Sequence, residues 1–459
     1  MDDEQDRQDR DPSETSDADD RARRTGNAAS TTHKGRGRRF MSMGKLATKA
    51  GARVLAGKTA GLFRDEETRA AKDEEMRRKL ARDLVNTSGK LKGAFMKVGQ
   101  ILSTQYDLLP QEMTSLLADL QSSAPPMEWR LVEEQVRREL GGAPEDLFAS
   151  FDRKPLSAAS LGQVHRASLK DGTPVAVKVQ YPGIDEAVRA DLENSDTLVK
   201  MARVFMRDVD VRTALEELHE HLLLELDYTL EAKNIADFLA AYEGDPEVAI
   251  PAVYPELSTA RVLTMDYLEG YKITEIMNAG ADPELKVWLA EKLLDFHWNQ
   301  MFVHGIMHAD PHPGNYFILA GPRLGLLDYG CVRRYSPEFI ADFKALTRAY
   351  LLHDEPEMDR LLMKLGFYED PALAPLYREI GLMWLTPYRE DRVYRAAEFS
   401  PKEMLATIAR VTIENRAATR QPREVIMMGR VIIGIWGFLS ALGVDMNGRA
   451  ILQRYIEGI

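Results

Sequence analysis

Between His308 and Gly330 the chain reads HADPHPGNYFILAGPRLGLLDYG, and this stretch limits the architectures open to the rest. Asp310 is followed five residues later by Asn315, with Pro311, Pro313 and Gly314 between them. Prolines fix φ and remove backbone donors, so no helix runs through this segment and it must be a loop held in one shape. A short apolar run, Gly325 to Leu327, then leads into Asp328-Tyr329-Gly330. A carboxylate and an amide on one loop, with a second carboxylate at a strand end, form a hard oxygen-donor set. Asn315 and Asp328 suit Mg²⁺, which takes carboxylate, carbonyl and phosphate oxygens. Asp310 is left to accept a proton or orient a nucleophile. His304, His308 and His312 fall four apart, but the prolines remove the helical face that a zinc site on them would need.

The spacing matches the protein-kinase pattern H-R-D-x-x-x-x-N followed by D-F-G. Upstream, Val175-Ala176-Val177-Lys178 matches the V-A-I-K strand whose lysine contacts ATP phosphates. LGQVHRASL and PVAVKVQYP read as two strands joined by Lys170-Asp171-Gly172-Thr173, a hairpin-turn sequence. A lysine inside an apolar strand needs an acidic partner, and Glu186, Glu193 and Glu231 are candidates. Where a kinase carries its Gly-rich loop, this chain has Ser157-Ala158-Ala159-Ser160-Leu161-Gly162-Gln163. Alanine restricts positive φ and keeps the backbone from hugging phosphates, so the nucleotide pose should depart from that of an ordinary protein kinase. Ala309 replaces the arginine that would pair an activation-loop phosphate. After Gly330, CVRRYSPEF leads directly into a helical pattern and leaves little platform for a substrate peptide. Phosphorylation of proteins is therefore not the expected main activity.

The chain has 459 residues, 44% hydrophobic and 29% charged, which excludes a fully disordered protein. Its one cysteine, Cys331, excludes an internal disulfide framework and a cysteine-cluster zinc site, and fits a reducing cytosol. A net charge of −12 argues against a generic nucleic-acid binder. That total hides two opposed blocks: ten acids against two arginines in residues 1–20, then twelve Lys or Arg and no acid in residues 21–64. The first 40 residues lack large apolar side chains and read as a disordered tail. From Met43 to Phe63, Lys45, Lys49 and Arg53 share one helical face beside Leu46, Ala50 and Val54. Such a basic amphipathic helix suits an anionic membrane surface, or else packs on its own domain. The N-terminus has no apolar h-region of a secretory signal. The fourteen-residue run Val431 to Val444 is shorter than the roughly twenty residues a spanning helix needs, so it reads as a buried core helix and no transmembrane segment is expected.

The order of elements predicts an α+β, two-lobed fold with a cleft between the lobes. Its divisions are a tail over 1–40, a helical extension over 41–127, an N-lobe with a β-hairpin and helical insertion over 128–270, and a helical C-lobe with the catalytic loop over 271–459. Pro125-Pro126 stops the extension, a helix from Glu128 to Leu140 ends at Gly141-Gly142, and VLTMDYLEG over 262–270 reads as a strand leaving into a turn.

From about residue 90 to 445 the sequence resembles the UbiB/AarF family of atypical protein-kinase-like proteins, linked to ubiquinone biosynthesis. Lys97-Val98-Gly99-Gln100 is similar to the family's KxGQ motif, Ala158-Ala159-Ser160 to its alanine-rich loop, and Glu225-Leu226-Asp227 to its ExD motif, with Glu231-Ala232-Lys233-Asn234 following. The resemblance implies that Lys178 pairs with Glu231. It also implies that the KxGQ helix folds over the active site, with Lys97 and Gln100 gating it against Glu225 and Asp227. Met265 would be the gatekeeper, and Asp266, Tyr267 and Leu268 the adenine-contacting hinge. The implied ligands are ATP and Mg²⁺. The implied activity is that of an ATPase or unorthodox kinase supporting coenzyme Q assembly at membranes, with quinone-precursor lipids and quinone-biosynthesis enzymes as partners. The expected location is the cytoplasm, peripheral at the inner face of the membrane if the 43–63 helix binds it. A small-molecule kinase of the aminoglycoside or choline type, which carries a similar H-G-D-x-x-x-x-N loop, is the alternative. A nucleotide-binding scaffold without turnover is a third reading, against which stands the complete set of Lys178, Asp310, Asn315 and Asp328.

Overall fold

The computed structural model describes residues 127–159, 161–186, 188, 223–277, 280–395, 398 and 423–457. The expected tail, the 43–63 helix, the segment carrying Lys97 and Gln100, and Ser160 lie outside the described residues. The first part of the described chain forms α1 (Trp129–Leu140), α2 (Pro144–Leu147), β1 (Ser150–Phe151), β2 (Ser157–Ala158), β3 (Gly162–Ser168), β4 (Pro174–Gln180), α3 (Tyr228–Ala241), β5 (Val248–Ala249) and β6 (Val262–Asp266). The second part forms β7 (Gly270–Lys272), α4 (Ile273–Met277), α5 (Pro283–Asn299), β8 (Ile306–His308), β9 (Tyr316–Leu319), β10 (Arg323–Leu326), β11 (Val332–Arg334), α6 (Pro337–Leu352), α7 (Glu355–Lys364), α8 (Ala374–Trp384), α9 (Arg423–Leu442) and α10 (Gly448–Leu452).

Strand periodicity organises the first lobe. Successive side chains of β4 point to opposite faces of its sheet. Val175, Val177 and Val179 go to one face and pack with Val132 and Val136 of α1 and with Val262. Ala176 goes to the other, in a cluster with Leu263 and Met265 of β6 and Tyr228 of α3. Lys178 is in phase with Ala176, so the valine alternation delivers its ammonium to the cleft face. The hairpin forms as the turn sequence predicts: Gly172 takes φ +92° and the Asp171 carboxylate accepts the Thr173 N–H at 2.9 Å. The α1 helix ends at Gly141, which adopts φ +78° and donates its N–H to the Arg137 carbonyl. The sheet runs β1-β3-β4-β6, with β2 also paired to β3.

A second sheet runs β5-β10-β9-β7, with β5 parallel to β10 and the other pairs antiparallel. Residues 262–270 leave β6 as a turn, but the chain at once becomes a strand again in β7. Its pairing partner β9 lies far along the sequence, and Gly270 permits the approach, since a Cβ there would stand 2.5 Å from the Ile318 carbonyl oxygen. A short antiparallel pair, β8 with β11, sets His308 opposite Val332. The helical lobe is built on α5 and α9. Val431, Ile435, Trp436, Phe438, Leu439 and Leu442 of α9 are buried together with Leu289, Leu293 and Phe296 of α5. The apolar run is thus a core helix, and among the described residues no helix is long and apolar enough to cross a membrane. Helices α6, α7 and α8 close a satellite core around Tyr350, Leu361 and Tyr377.

Candidate active site

The centre of the cleft is an ion pair. Lys178 Nζ donates to both carboxylate oxygens of Glu231, at 2.6 and 2.8 Å, across 53 positions of sequence. Both side chains are buried. Burial works against the Lys178 ammonium, but the carboxylates of Asp328 and Glu231 outweigh it and hold the lysine above its ordinary range. Burial raises the Glu231 carboxyl; the lysine offsets part of that rise and the Asp328 charge adds to it. Of the acidic candidates, Glu186 is exposed and Glu193 lies outside the described residues. Helix α3 carries Glu231 inward because Tyr228, Glu231, Ile235 and Phe238 share its buried face.

The same helix grips the Asp328-Tyr329-Gly330 segment. Glu231 Oε1 accepts the Tyr329 N–H at 3.3 Å, Asn234 Nδ2 donates to the Tyr329 carbonyl at 2.8 Å, and the Phe238 and Tyr329 rings meet edge to face at 5.2 Å. Asp328 Oδ1 accepts the Gly330 N–H at 2.9 Å, a tight turn that fixes the carboxylate beside Lys178.

The loop opposite is held from several sides. Asn315 Nδ2 donates to the carbonyl of Asp310 at 3.1 Å and to its Oδ2 at 3.2 Å. The Leu327 N–H donates to the Asn315 carbonyl and the Ala309 N–H to the Cys331 carbonyl, tying both strands of the motif together. At the end of α5 a π-type turn, Gln300–His304, presents the Gln300 Oε1 to the His308 N–H at 2.7 Å. His308 is buried and its Nε2 bonds the Asp328 carbonyl. His297 bonds the Leu293 carbonyl through Nδ1 and the Tyr316 hydroxyl through Nε2, directly behind Asn315. Burial, opposed by the bond to Leu293, lowers its pKa to about 4. Helix α9 seals this side: a Cβ on Gly434 would stand 2.4 Å from Pro311 Cγ. His304 packs beside Tyr242 and His312 accepts the Gly314 N–H, so the three histidines at four-residue spacing serve three separate structural roles.

In the described part of the alanine-rich segment, Ala158 lies opposite Gln163 and the Ala159 N–H donates to the Gly162 carbonyl at 2.9 Å. The one glycine left in it has a local reason to be there. A Cβ on Gly162 would lie 2.2 Å from the Val179 carbonyl oxygen, so strand approach demands glycine at that place. Met265 is buried and opposite Ala176. The Asp266 carboxylate is turned to the preceding loop, accepting from the Ala252 N–H and the Tyr254 hydroxyl, and Tyr267 lies under the Arg166 guanidinium at 4.6 Å. Leu268 stands near Gly325. Asp227 caps α3, accepting from the backbone and hydroxyl of Thr229 at 2.9 and 2.6 Å. Glu225 comes to the Asp328 turn, its Cγ 3.5 Å from where a Gly330 Cβ would sit.

Lys178, Glu231 and Asp328 therefore converge, Asp310 with Asn315 forms the facing loop, and Glu225 borders them. Gln300, His297, Gly434 and Asn234 support this arrangement and stand out in no local motif except Asn234, which follows Glu231 at helical spacing. Among the described residues no three His, Cys, Asp or Glu side chains gather as a metal site. A carboxylate and an amide with few other ligands is the donor set of a cation that shares its coordination with substrate phosphates and water, as Mg²⁺ does.

The ABC1 atypical kinase-like domain matches residues 119–362, more than half of the chain. Probable serine/threonine-protein kinase abkB of Dictyostelium discoideum is 30% identical over 412 residues, which are 87% of this chain and 59% of that protein. Atypical kinase COQ8, mitochondrial, of Saccharomyces cerevisiae is 28% identical over 373 residues, 79% of this chain and 74% of the relative. A solved structure titled "The complex structure of Rv3197-erythromycin from Mycobacterium tuberculosis" is 29% identical, with a TM-score of 0.59 over 85% of this chain and 98% of that one. The chain spans less than two thirds of the first relative's length and about half that of the chloroplastic Arabidopsis thaliana kinases it also matches. The α+β lobes are a kinase-like fold, and the chain belongs to the ABC1 atypical kinase-like family, that of the UbiB/AarF proteins its motifs resemble.

Proposed function

We propose that the protein is an Mg-ATP-dependent atypical kinase or ATPase supporting isoprenoid quinone biosynthesis or related membrane-lipid metabolism. The observation that carries this reading is the buried Lys178–Glu231 pair with Asp328 acting on the same ammonium. An ion pair this costly to bury is kept where its charges have work to do. In this reading Lys178 contacts the nucleotide phosphates and Glu231 fixes its direction. Asp328 and the Oδ1 of Asn315, whose Nδ2 is committed to Asp310, hold Mg²⁺. Bound Mg²⁺ would neutralise charge on the transferring phosphate. Asp310 orients the attacking oxygen and takes its proton. Ala158, Ala159 and Ser160 cover the nucleotide, Met265 borders the adenine pocket, and Asp266, Tyr267 and Leu268 contact the base. With the Asp266 carboxylate engaged elsewhere, that contact falls to the hinge backbone. Lys97 and Gln100 gate the cleft against Glu225 and Asp227.

The short run from Gly330 through β11 into α6 at Pro337 supports a substrate other than a protein, since it leaves little platform for a peptide. Anionic membrane association through residues 43–63 belongs to the same proposal. The test is phosphate release from Mg-ATP by the full chain, with and without anionic liposomes and phenolic quinone precursors. Turnover that disappears in Asp310→Asn is the expected result. No turnover under any of these conditions, or turnover unaltered in Asp310→Asn, overturns the enzyme reading. Liposome sedimentation of a chain lacking residues 1–64 should show lost binding.

A further inference from the structure

Resting on that reading, we infer that Asn234, Arg334 and Asp237 form a latch that holds the Glu231 helix against the Asp328 turn without any phosphorylation. Glu231, Asn234 and Asp237 follow one another at three-residue spacing on α3, so they form one stripe along the helix. Asn234 sits at its middle and works in two directions. Its Nδ2 donates to the Tyr329 carbonyl at 2.8 Å and its Oδ1 accepts from Arg334 Nη2 at 2.9 Å. The same Arg334 nitrogen bonds Asp237. A carboxamide alone satisfies both neighbours at this size, since a carboxylate would set an oxygen against the carbonyl and an aliphatic group would drop both bonds.

Arg334 lies on β11, four residues after Gly330, and β11 is pinned to β8 by the Val332–His308 register. The guanidinium therefore ties the helix that carries Glu231 to the strand that follows Asp328. In a conventional protein kinase an activation-loop phosphate paired with arginine does this ordering. Here Ala309 stands in the arginine's place, the connecting segment is short, and a fixed carboxylate on the helix takes the role of the phosphate. Asn234 and Arg334 are thus positioning residues that act through Glu231 and Tyr329, and the active arrangement is the resting one.

Cys331, the single cysteine of the chain, is buried and lies between Tyr329 and Arg334 in the sequence, so it reports on this segment. The experiment compares the full-length wild type with Arg334→Asp, Asp237→Arg, their combination, and Asn234→Asp. It measures the rate at which a thiol reagent labels Cys331 and the Mg-ATP turnover. Arg334 and Asp237 are partly exposed, so their charge changes leave the core intact. Each single variant should label several-fold faster and turn over on the order of tenfold more slowly. The charge-swapped double variant should move back toward wild type in both. Labelling and turnover unchanged in Arg334→Asp and Asn234→Asp overturn the latch, as does a double variant no better than the singles. If no protein, wild type included, hydrolyses ATP while labelling responds as expected, the enzyme reading fails and the latch stands.

Discussion

Replacing Glu231 by glutamine removes one charge from the cleft while keeping the side chain's shape. In the wild type its Oε1 takes both the Lys178 ammonium and the Tyr329 N–H, and its Oε2 takes the ammonium again. Glutamine retains one acceptor and turns an NH₂ group toward Lys178. Breaking a buried ion pair from one side costs about 3–5 kcal/mol, because the other charge is left without compensation. Asp328 still acts on the ammonium, which puts the ion-pair part near the low end, about 3 kcal/mol. The retained oxygen still accepts the Tyr329 N–H, but that bond loses its charge assistance, which adds about 1 kcal/mol. A total of about 4 kcal/mol is a large share of the 5–15 kcal/mol that stabilises a typical domain. Urea unfolding followed by tryptophan fluorescence measures it as a lower midpoint at constant slope. Lys178→Met combined with Glu231→Leu, which buries no charge, should recover most of the stability while turnover stays absent. A Glu231→Gln protein within about 0.5 kcal/mol of wild type that hydrolyses ATP normally would refute the role assigned to the pair.

Other perturbations test the loop and its supports. Asp328→Asn should keep the Lys178–Glu231 bond but lose the dependence of nucleotide affinity on Mg²⁺, read by titrating the metal against a fluorescent nucleotide. His297 is neutral when folded, with a pKa of about 4 against 6.5 for the unfolded side chain. The unfolded state binds the extra proton between those values, so stability falls as pH drops from 6.5 toward 4, by about 3 kcal/mol in all. His297→Gln should flatten that part of the stability–pH profile, and an unchanged slope would assign it elsewhere. Gly434→Ala pushes a methyl into Pro311, 2.4 Å away, and should cost about 1–3 kcal/mol by overpacking and lower turnover with it. Wild-type midpoint and turnover in that variant would mean that α9 does not brace the loop.

The loop-and-strand character of the 308–330 stretch was legible in one dimension because its cause is local. Prolines cannot sit in a helix interior beyond its first turn, and the spacing of Asp310, Asn315 and Asp328 matches the kinase pattern before any long-range pairing is known. The alternating valines of β4 likewise announced a strand that delivers Lys178 to one face. Pairing across long separations was not legible in the same way. Three glutamates were open as partners of Lys178, and the family resemblance rather than the spacing favoured Glu231. The choice depends on α3 packing its Tyr228, Ile235 and Phe238 face into the cleft. Gly162 invites reading as the remnant of a phosphate loop, yet its lack of a side chain answers to the Val179 carbonyl 17 positions away in the sequence. Strand β7 passes for a turn until β9 is beside it. Arg334, Gln300 and Gly434 are ordinary residues in the sequence. They acquire roles only when packing fixes which carbonyl, guanidinium or ring each one meets, because hydrogen-bond and steric complementarity are properties of pairs and not of residues.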